Sequence, residues 1–202
     1  FAQHKSLKAT KALIVPFAVS EVDVVLESID RTSFSGLRDA TAIELLYSTG
    51  MRQAELIGLK CSDIDWAQQQ LRVLGKRNKE RIVPMIPSLS ETISQYVKQR
   101  NILQEANTHP FVLITDKGKK AYPSFVYRLI KTYFRGVSNK ISTSPHVLRH
   151  SFATHMLDAG ADINVVKEIL GHASLAATQE YIKVQLPKVQ DAYRAAHPRA
   201  KK

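Results

Sequence analysis

Residues 144–157 read SPHVLRHSFATHML. Ser144 can cap a helix, Pro145 fits the first helical position and Gly160 can end it. The helix so predicted carries His146, His150, His155 and Arg149. Residues three apart share a helix face, so His146 and Arg149 point the same way. His155, nine residues past His146, falls about half a turn out of phase and is expected to pack or cap elsewhere. His150 stays near the face of His146, and periodicity does not choose between the two. A face with an arginine and a histidine suits an anion or a proton transfer.

Downstream, a helix is predicted from Asp162 to Leu170, stopping at Gly171. Another starts near Ser174 and carries Tyr181, and Pro187 is expected to separate it from a last helix, KVQDAYRAA (188–196). Upstream, Ser20 is expected to cap a helix bearing Val22, Val25, Leu26 and Ile29 on one side. LRDATAIELLYSTG (37–50) gives a second helix that Gly50 can close, and MRQAELIGLK (51–60) a short helical turn with Arg52 at its start. The period changes over LRVLGKRNKERIVPMI (71–86), where two aliphatic runs flank GKRNKE as in a hairpin. Ser88 with Glu91 forms a capping-box pattern, FVLIT (111–115) reads as one more short strand, and Ser124 is expected to cap a helix through Leu129, Tyr133 and Phe134. The fold class is α+β, mainly α: a helical bundle with a small antiparallel sheet at one edge.

Lys and Arg number 29 against 18 Asp and Glu, a net charge of +11. Such a surplus favours a polyanionic partner, most often nucleic acid. The single cysteine, Cys61, supports neither a disulfide framework nor a thiolate metal cluster, and it points to a reducing, cytoplasmic setting. No acidic cluster suggests a magnesium site, no glycine-rich phosphate loop a nucleotide, and no apolar run a membrane span. No metal and no cofactor are expected. Residues 1–19, basic and free of acids, read as a linker or arm, 20–186 as the main domain and 187–202 as a tail.

Single residues carry little alone. Arg52, opening a helix just past Gly50, suits an anion, but an ion pair with Glu55 is an equal alternative. Lys76, Arg77, Lys79 and Arg81 at a hairpin usually make a solvated basic turn; His172 past a glycine stop usually caps carbonyls; Tyr181 on an amphipathic helix usually packs.

The combination is more specific. TGMRQAEL, GKRNKER, HVLRHSFATHML, LGHASL and TQEYIKV, in this order, resemble the catalytic domain of tyrosine recombinases, the phage integrase family. The AAHPRA ending resembles the Xer type, which resolves chromosome dimers. The resemblance spans about Ser20 to Ala200 and implies the catalytic residues: Arg52, Lys76, the pair His146 and Arg149, His172, and Tyr181 as nucleophile. It thereby selects His146 over His150. Ala176, Ala177, Lys167 and Cys61 depart from frequent family residues, and none removes a catalytic group.

The resemblance further implies phosphoryl transfer on duplex DNA through a 3′-phosphotyrosyl link, without metal or ATP. Lys79, Arg81, Lys131 and Arg135 are candidate DNA-backbone contacts. The linker would lead toward a separate N-terminal DNA-binding domain. The tail would dock on a neighbouring protomer in a homo- or hetero-tetramer on DNA, or alone fold back on its own domain. A cell-division DNA translocase is an implied further partner. The competing readings are a mobile-element integrase, a type IB topoisomerase and a regulator that binds DNA without cutting it.

Overall fold

The computed structural model describes residues 14–138, 143–171 and 179–200, with the backbone alone at 77, 107 and 179–186. Eight α-helices are described: α1 (Val19–Ser28), α2 (Phe34–Thr49), α3 (Gln53–Gly58), α4 (Pro87–Arg100), α5 (Pro123–Arg135), α6 (Pro145–Asp158), α7 (Ile163–Ile169) and α8 (Gln179–Ala196). Between α3 and α4 lies an antiparallel sheet of order β1 (Ile64–Asp65), β2 (Gln70–Leu74), β3 (Glu80–Pro84). The mainly helical class with a small sheet is as the sequence predicts.

The centre of the body is α2. It is buried on nearly every face, from Leu37 through Tyr47 to Thr49, and packs against α4 on one side and α6 on the other. A helix buried on nearly all sides must bring its polar residues, here Arg38, Thr41, Glu44, Ser48 and Thr49, into the core with it. Two of its polar residues find partners there: Glu44, 1% exposed, takes a salt bridge at 2.7 Å from Arg31, and the Tyr47 hydroxyl lies 2.8 Å from His155 Nδ1. His155 therefore packs, as its phase on α6 implies.

Two of the expected caps shift for one physical reason. Ser88 and Ser124 were expected to cap helices, but α4 begins at Pro87 and α5 at Pro123, with Ile86 and Tyr122 in the cap positions. A residue before proline is pushed to extended backbone, which is the conformation a cap needs, while proline's fixed φ starts the helix. Each serine thus sits inside the first turn, and Ser88 Oγ is buried with no described partner. Ser144 precedes its proline and does occupy the cap position. Ser20 also falls inside its helix. The cap is Ala18, whose backbone N–H donates to Glu21 at 2.7 Å.

FVLIT forms no strand, only isolated bridges between Lys60 and Phe111 and between Ile114 and Lys120. The residues expected to be an arm are packed by position 17: Phe17 is buried, stacks on Phe134 with centroids 4.2 Å apart, and donates its N–H to Ser151 Oγ.

The largest difference is at Pro187. No break occurs, and α8 runs through it as one helix. An interior proline removes one backbone hydrogen bond and costs about 3 kcal/mol. Opposing it, Val189, Tyr193 and Ala196, at helical spacing, are buried in the core. Tyr193 donates to the Ser48 carbonyl at 2.6 Å, and beyond the helix Arg199 bridges Asp23 at 2.7 Å and Glu44 at 3.5 Å. The tail in this structure folds back on its own body.

Candidate active site

The site begins at the end of α2. Gly50 closes that helix in the left-handed region, φ +59°, and the chain turns at once into α3 with Arg52 at its cap. A β-carbon at Gly50 would lie 2.5 Å from Phe152 Cδ1 and 2.6 Å from Leu170 Cδ2, so only glycine lets α6 and the end of α7 close on this turn. That closeness brings Arg149 in. Its guanidinium donates to the carbonyl of Gly50 and, at 2.8 Å, to that of Leu170. Both carbonyls lie at helix C-termini, where the helix dipole favours a cation.

Arg52 sits across this turn, 39% exposed at its side chain. Its Nη1 donates to Glu55 Oε1 at 2.9 Å and its backbone N–H to Oε2 at 2.7 Å. Sequence reading set ion pairing with Glu55 against anion binding as alternatives. The structure has the ion pair and still leaves Arg52 partly open to solvent. Glu55 also takes a two-pronged contact from Arg81, at 3.0 and 2.8 Å. Burial raises a carboxyl's pKa, but here the Arg81 and Arg52 donors outweigh it and hold Glu55 below its ordinary value.

Two guanidinium groups thus share one carboxylate, with that of Arg149 near enough to feel all three charges. The electrostatic result falls on Arg149, whose pKa is depressed to about 10, first by burial and then by the charges of Arg52 and Arg81, with Glu55 acting the other way. An excess of positive charge in a half-buried place is what an incoming dianionic or monoanionic oxygen cluster would relieve.

His146 lies one turn before Arg149 on α6 and is exposed. Lys76 opens the short turn Lys76–Asn78 at the tip of the hairpin and is exposed. The start of the hairpin's turn is held near the arginines: a β-carbon on Gly75 would lie 3.4 Å from Glu55 Oε1. Tyr181 is carried by α8, which packs against α6 and α7; its side chain lies outside the described residues, as does the whole of His172. The structure therefore gathers Arg52, Arg149 and the start of the turn that carries Lys76, with His146 on the same helix as Arg149. Among the described residues no group of three or more His, Cys, Asp or Glu could hold a metal ion, and no helix is long and apolar enough to cross a membrane.

Residues 16–186 match the phage integrase family. The chain belongs to that family, whose members are tyrosine recombinases. It is 39% identical over 194 residues to tyrosine recombinase XerD of Halalkalibacterium halodurans, an alignment covering 96% of this chain and 65% of that protein. Identity to tyrosine recombinase XerC of Chlorobaculum tepidum is 42% over 172 residues, 83% of this chain and 51% of that protein. The chain thus spans roughly half to two thirds of these relatives. Among solved structures, the XerA recombinase superposes with a TM-score of 0.71 at 28% identity, covering 92% of this chain and 66% of that one. A XerH site-specific recombinase bound to its difH substrate has the same fold, with a TM-score of 0.68 at 23% identity over 84% of this chain and 50% of that one.

Of the four candidate DNA contacts in this recombinase fold, Lys79, Lys131 and Arg135 are exposed, whereas the Arg81 side chain is only 9% exposed. A basic surface that sequence reading passed over lines a groove formed by Lys117, Lys119, Lys120, Tyr122 and Arg128. Lys120 lies 3.5 Å over the Phe111 ring and Arg128 5.7 Å over Tyr122. The charge run DKGKK (116–120) was its sequence signal.

Proposed function

We propose that this chain is the catalytic part of a Xer-type site-specific recombinase that cuts and rejoins duplex DNA. The observation that carries the reading is the convergence of Arg52 and Arg149 on the Gly50 turn, with an excess of positive charge among half-buried groups. In the proposed reaction the Tyr181 oxygen attacks a backbone phosphorus and the bond to the next nucleotide's 5′-oxygen breaks. The phenol proton passes to His146, the better candidate to accept it, while His172 hydrogen-bonds the phosphate; exchange of these two roles is the alternative. The 5′-oxygen leaves with a proton from Lys76. A 5′-hydroxyl of a second strand then attacks the 3′-phosphotyrosyl link and expels the phenol, which recovers its proton. One diester replaces another at each step, so no nucleotide hydrolysis is needed.

Charge builds on the non-bridging oxygens in the transition state, and preorganised donors aimed there are the main source of rate. Arg149, anchored from behind by two helix-end carbonyls, and Arg52, braced by Glu55, suit that task. Exposed Lys79, Lys131 and Arg135 are proposed to grip the duplex backbone, which makes binding strongly salt-dependent. Assembly as a homo- or hetero-tetramer on DNA, with the tail leaving its own body for a neighbour, is part of the same proposal. So are a cytoplasmic setting beside the chromosome and activation by a cell-division DNA translocase.

A nicked duplex whose short 5′ fragment diffuses away after cleavage tests the reading. Accumulation of a covalent protein–DNA adduct is expected. Its absence, with DNA binding intact, would favour the non-cutting regulator. Relaxation of supercoiled plasmid without strand exchange would favour the topoisomerase.

A further inference from the structure

Arg81 stands apart from the basic residues around it. In the β2–β3 register it is paired with Val73, which is 1% exposed, and directly opposed residues share a sheet face. Arg81 therefore points inward, away from the solvent that Lys79 meets. Its Nη1 and Nη2 fork onto the two oxygens of Glu55, and its Nε donates to the Ile169 carbonyl at 2.6 Å. Its stem lies against the backbone at Gly171, where an added β-carbon would come within 3.1 Å of Arg81 Cδ. One side chain thus joins three segments: the hairpin that carries Lys76, the α3 carboxylate that braces Arg52, and the end of α7, where the sequence leads straight into His172.

We propose that Arg81 is a positioning residue for strand cleavage, fixing the spacing of these three segments rather than touching DNA. The proposal rests on the recombinase reading above and deepens it. Glu55 is 5% exposed at its side chain, and Arg81 supplies half of the four hydrogen bonds that its carboxylate receives. Without Arg81, Glu55 has Arg52 alone as its cation, and the guanidinium meant for phosphate is pulled onto the carboxylate. The hairpin at the same time loses its tie to α7. Misplacement of about 1 Å at a reacting group can cost on the order of 10²-fold in rate.

The test compares wild type, Arg81→Ala, Arg81→Lys, Glu55→Gln and the Arg81→Ala/Glu55→Gln double variant on the nicked duplex. Single-turnover cleavage is measured at saturating DNA, and affinity across a salt series. Arg81→Ala is expected to cleave at least about tenfold more slowly, with affinity within about threefold of wild type and an unchanged salt slope. The double variant should be little slower than Arg81→Ala, because both changes break one linkage. Should Arg81→Ala fail to melt cooperatively, Arg81→Lys decides: an ammonium cannot fork Glu55 and reach Ile169 together, so it too should bind normally and cleave slowly. A wild-type rate in either folded variant overturns the proposal. So does a loss of affinity with a salt slope reduced by about one, the mark of a direct phosphate contact. Multiplicative slowing in the double variant would overturn the route through Glu55. Absence of any adduct with wild type would instead overturn the recombinase reading itself.

Discussion

Replacing Gly50 with alanine separates two costs that the structure superposes. The first is conformational: φ is +59°, and a left-handed backbone costs an L-residue about 1–2 kcal/mol. The second is steric. The new methyl would meet Phe152 Cδ1 at 2.5 Å and Leu170 Cδ2 at 2.6 Å. Both are buried, 1% and 7% exposed, and Phe152 packs against Tyr193 and His197. Overpacking of this kind costs about 1–3 kcal/mol. Together the two give about 3 kcal/mol, which for a chain of this size lowers the melting temperature by about 6–12 °C. Gly160→Ala is the control. Its φ is +86° but nothing lies within 4 Å of the added carbon, so only the first cost applies. Because the Gly50 carbonyl holds Arg149, Gly50→Ala should also slow cleavage by about 10²-fold when assayed well below its melting point. Thermal melts of both variants, followed by single-turnover cleavage, make the comparison. Equal shifts for the two glycines would refute the packing argument, and an unimpaired cleavage rate in Gly50→Ala would refute the anchoring of Arg149.

Arg149→Lys, which cannot reach the Gly50 and Leu170 carbonyls as a planar fork does, should reduce single-turnover cleavage by about 10²-fold with little change in DNA affinity; a gel-shift titration beside the cleavage assay checks both. Adduct formation should be as fast in EDTA as in magnesium, since the charge of the transition state falls to arginines; a rate that collapses with chelator and returns with a divalent ion would contradict this. Burial, then the charges of Arg199 and His155, lower the pKa of His197 to about 3. A histidine so depressed in the folded state binds its proton only on unfolding, so stability is complete above the unfolded value of about 6.5 and falls as pH drops below it. At pH 5 the loss should be about 2 kcal/mol, visible as a lower melting temperature than at pH 7.5 and diminished in His197→Gln.

The fold was legible wherever local chemistry and tertiary packing agree. Asp162 caps α7 with its side chain, Gly50 closes α2, and the 71–86 hairpin pairs as its pattern implies. Proline was misjudged in two opposite ways. At 87 and 123 it starts a helix that the following serine seemed to start, and at 187 it fails to end one, because residues far away in sequence bury Val189 and Tyr193. β1, two residues long, is too short for any period to show. In the site, the local sequence leaves Arg52 with two alternatives; the structure has the ion pair with Glu55 and leaves the guanidinium partly open to solvent. Arg81 reads locally as a surface charge like Lys79, although alternation carries a signal: the apolar residue opposite it, Val73, marks its face as inward. Glu55 was seen as a rival to the anion rather than as the brace for two arginines, since its second partner lies 26 residues away.

The most direct measurement maps the residue that holds the DNA. After cleavage of the nicked duplex, the adduct is trimmed with nuclease, digested with trypsin and sequenced by mass spectrometry. A nucleotide remnant joined through its 3′-phosphate to Tyr181, in the peptide spanning 168–183, is the predicted result. A remnant on any other side chain, or one joined through a 5′-phosphate, would contradict the account.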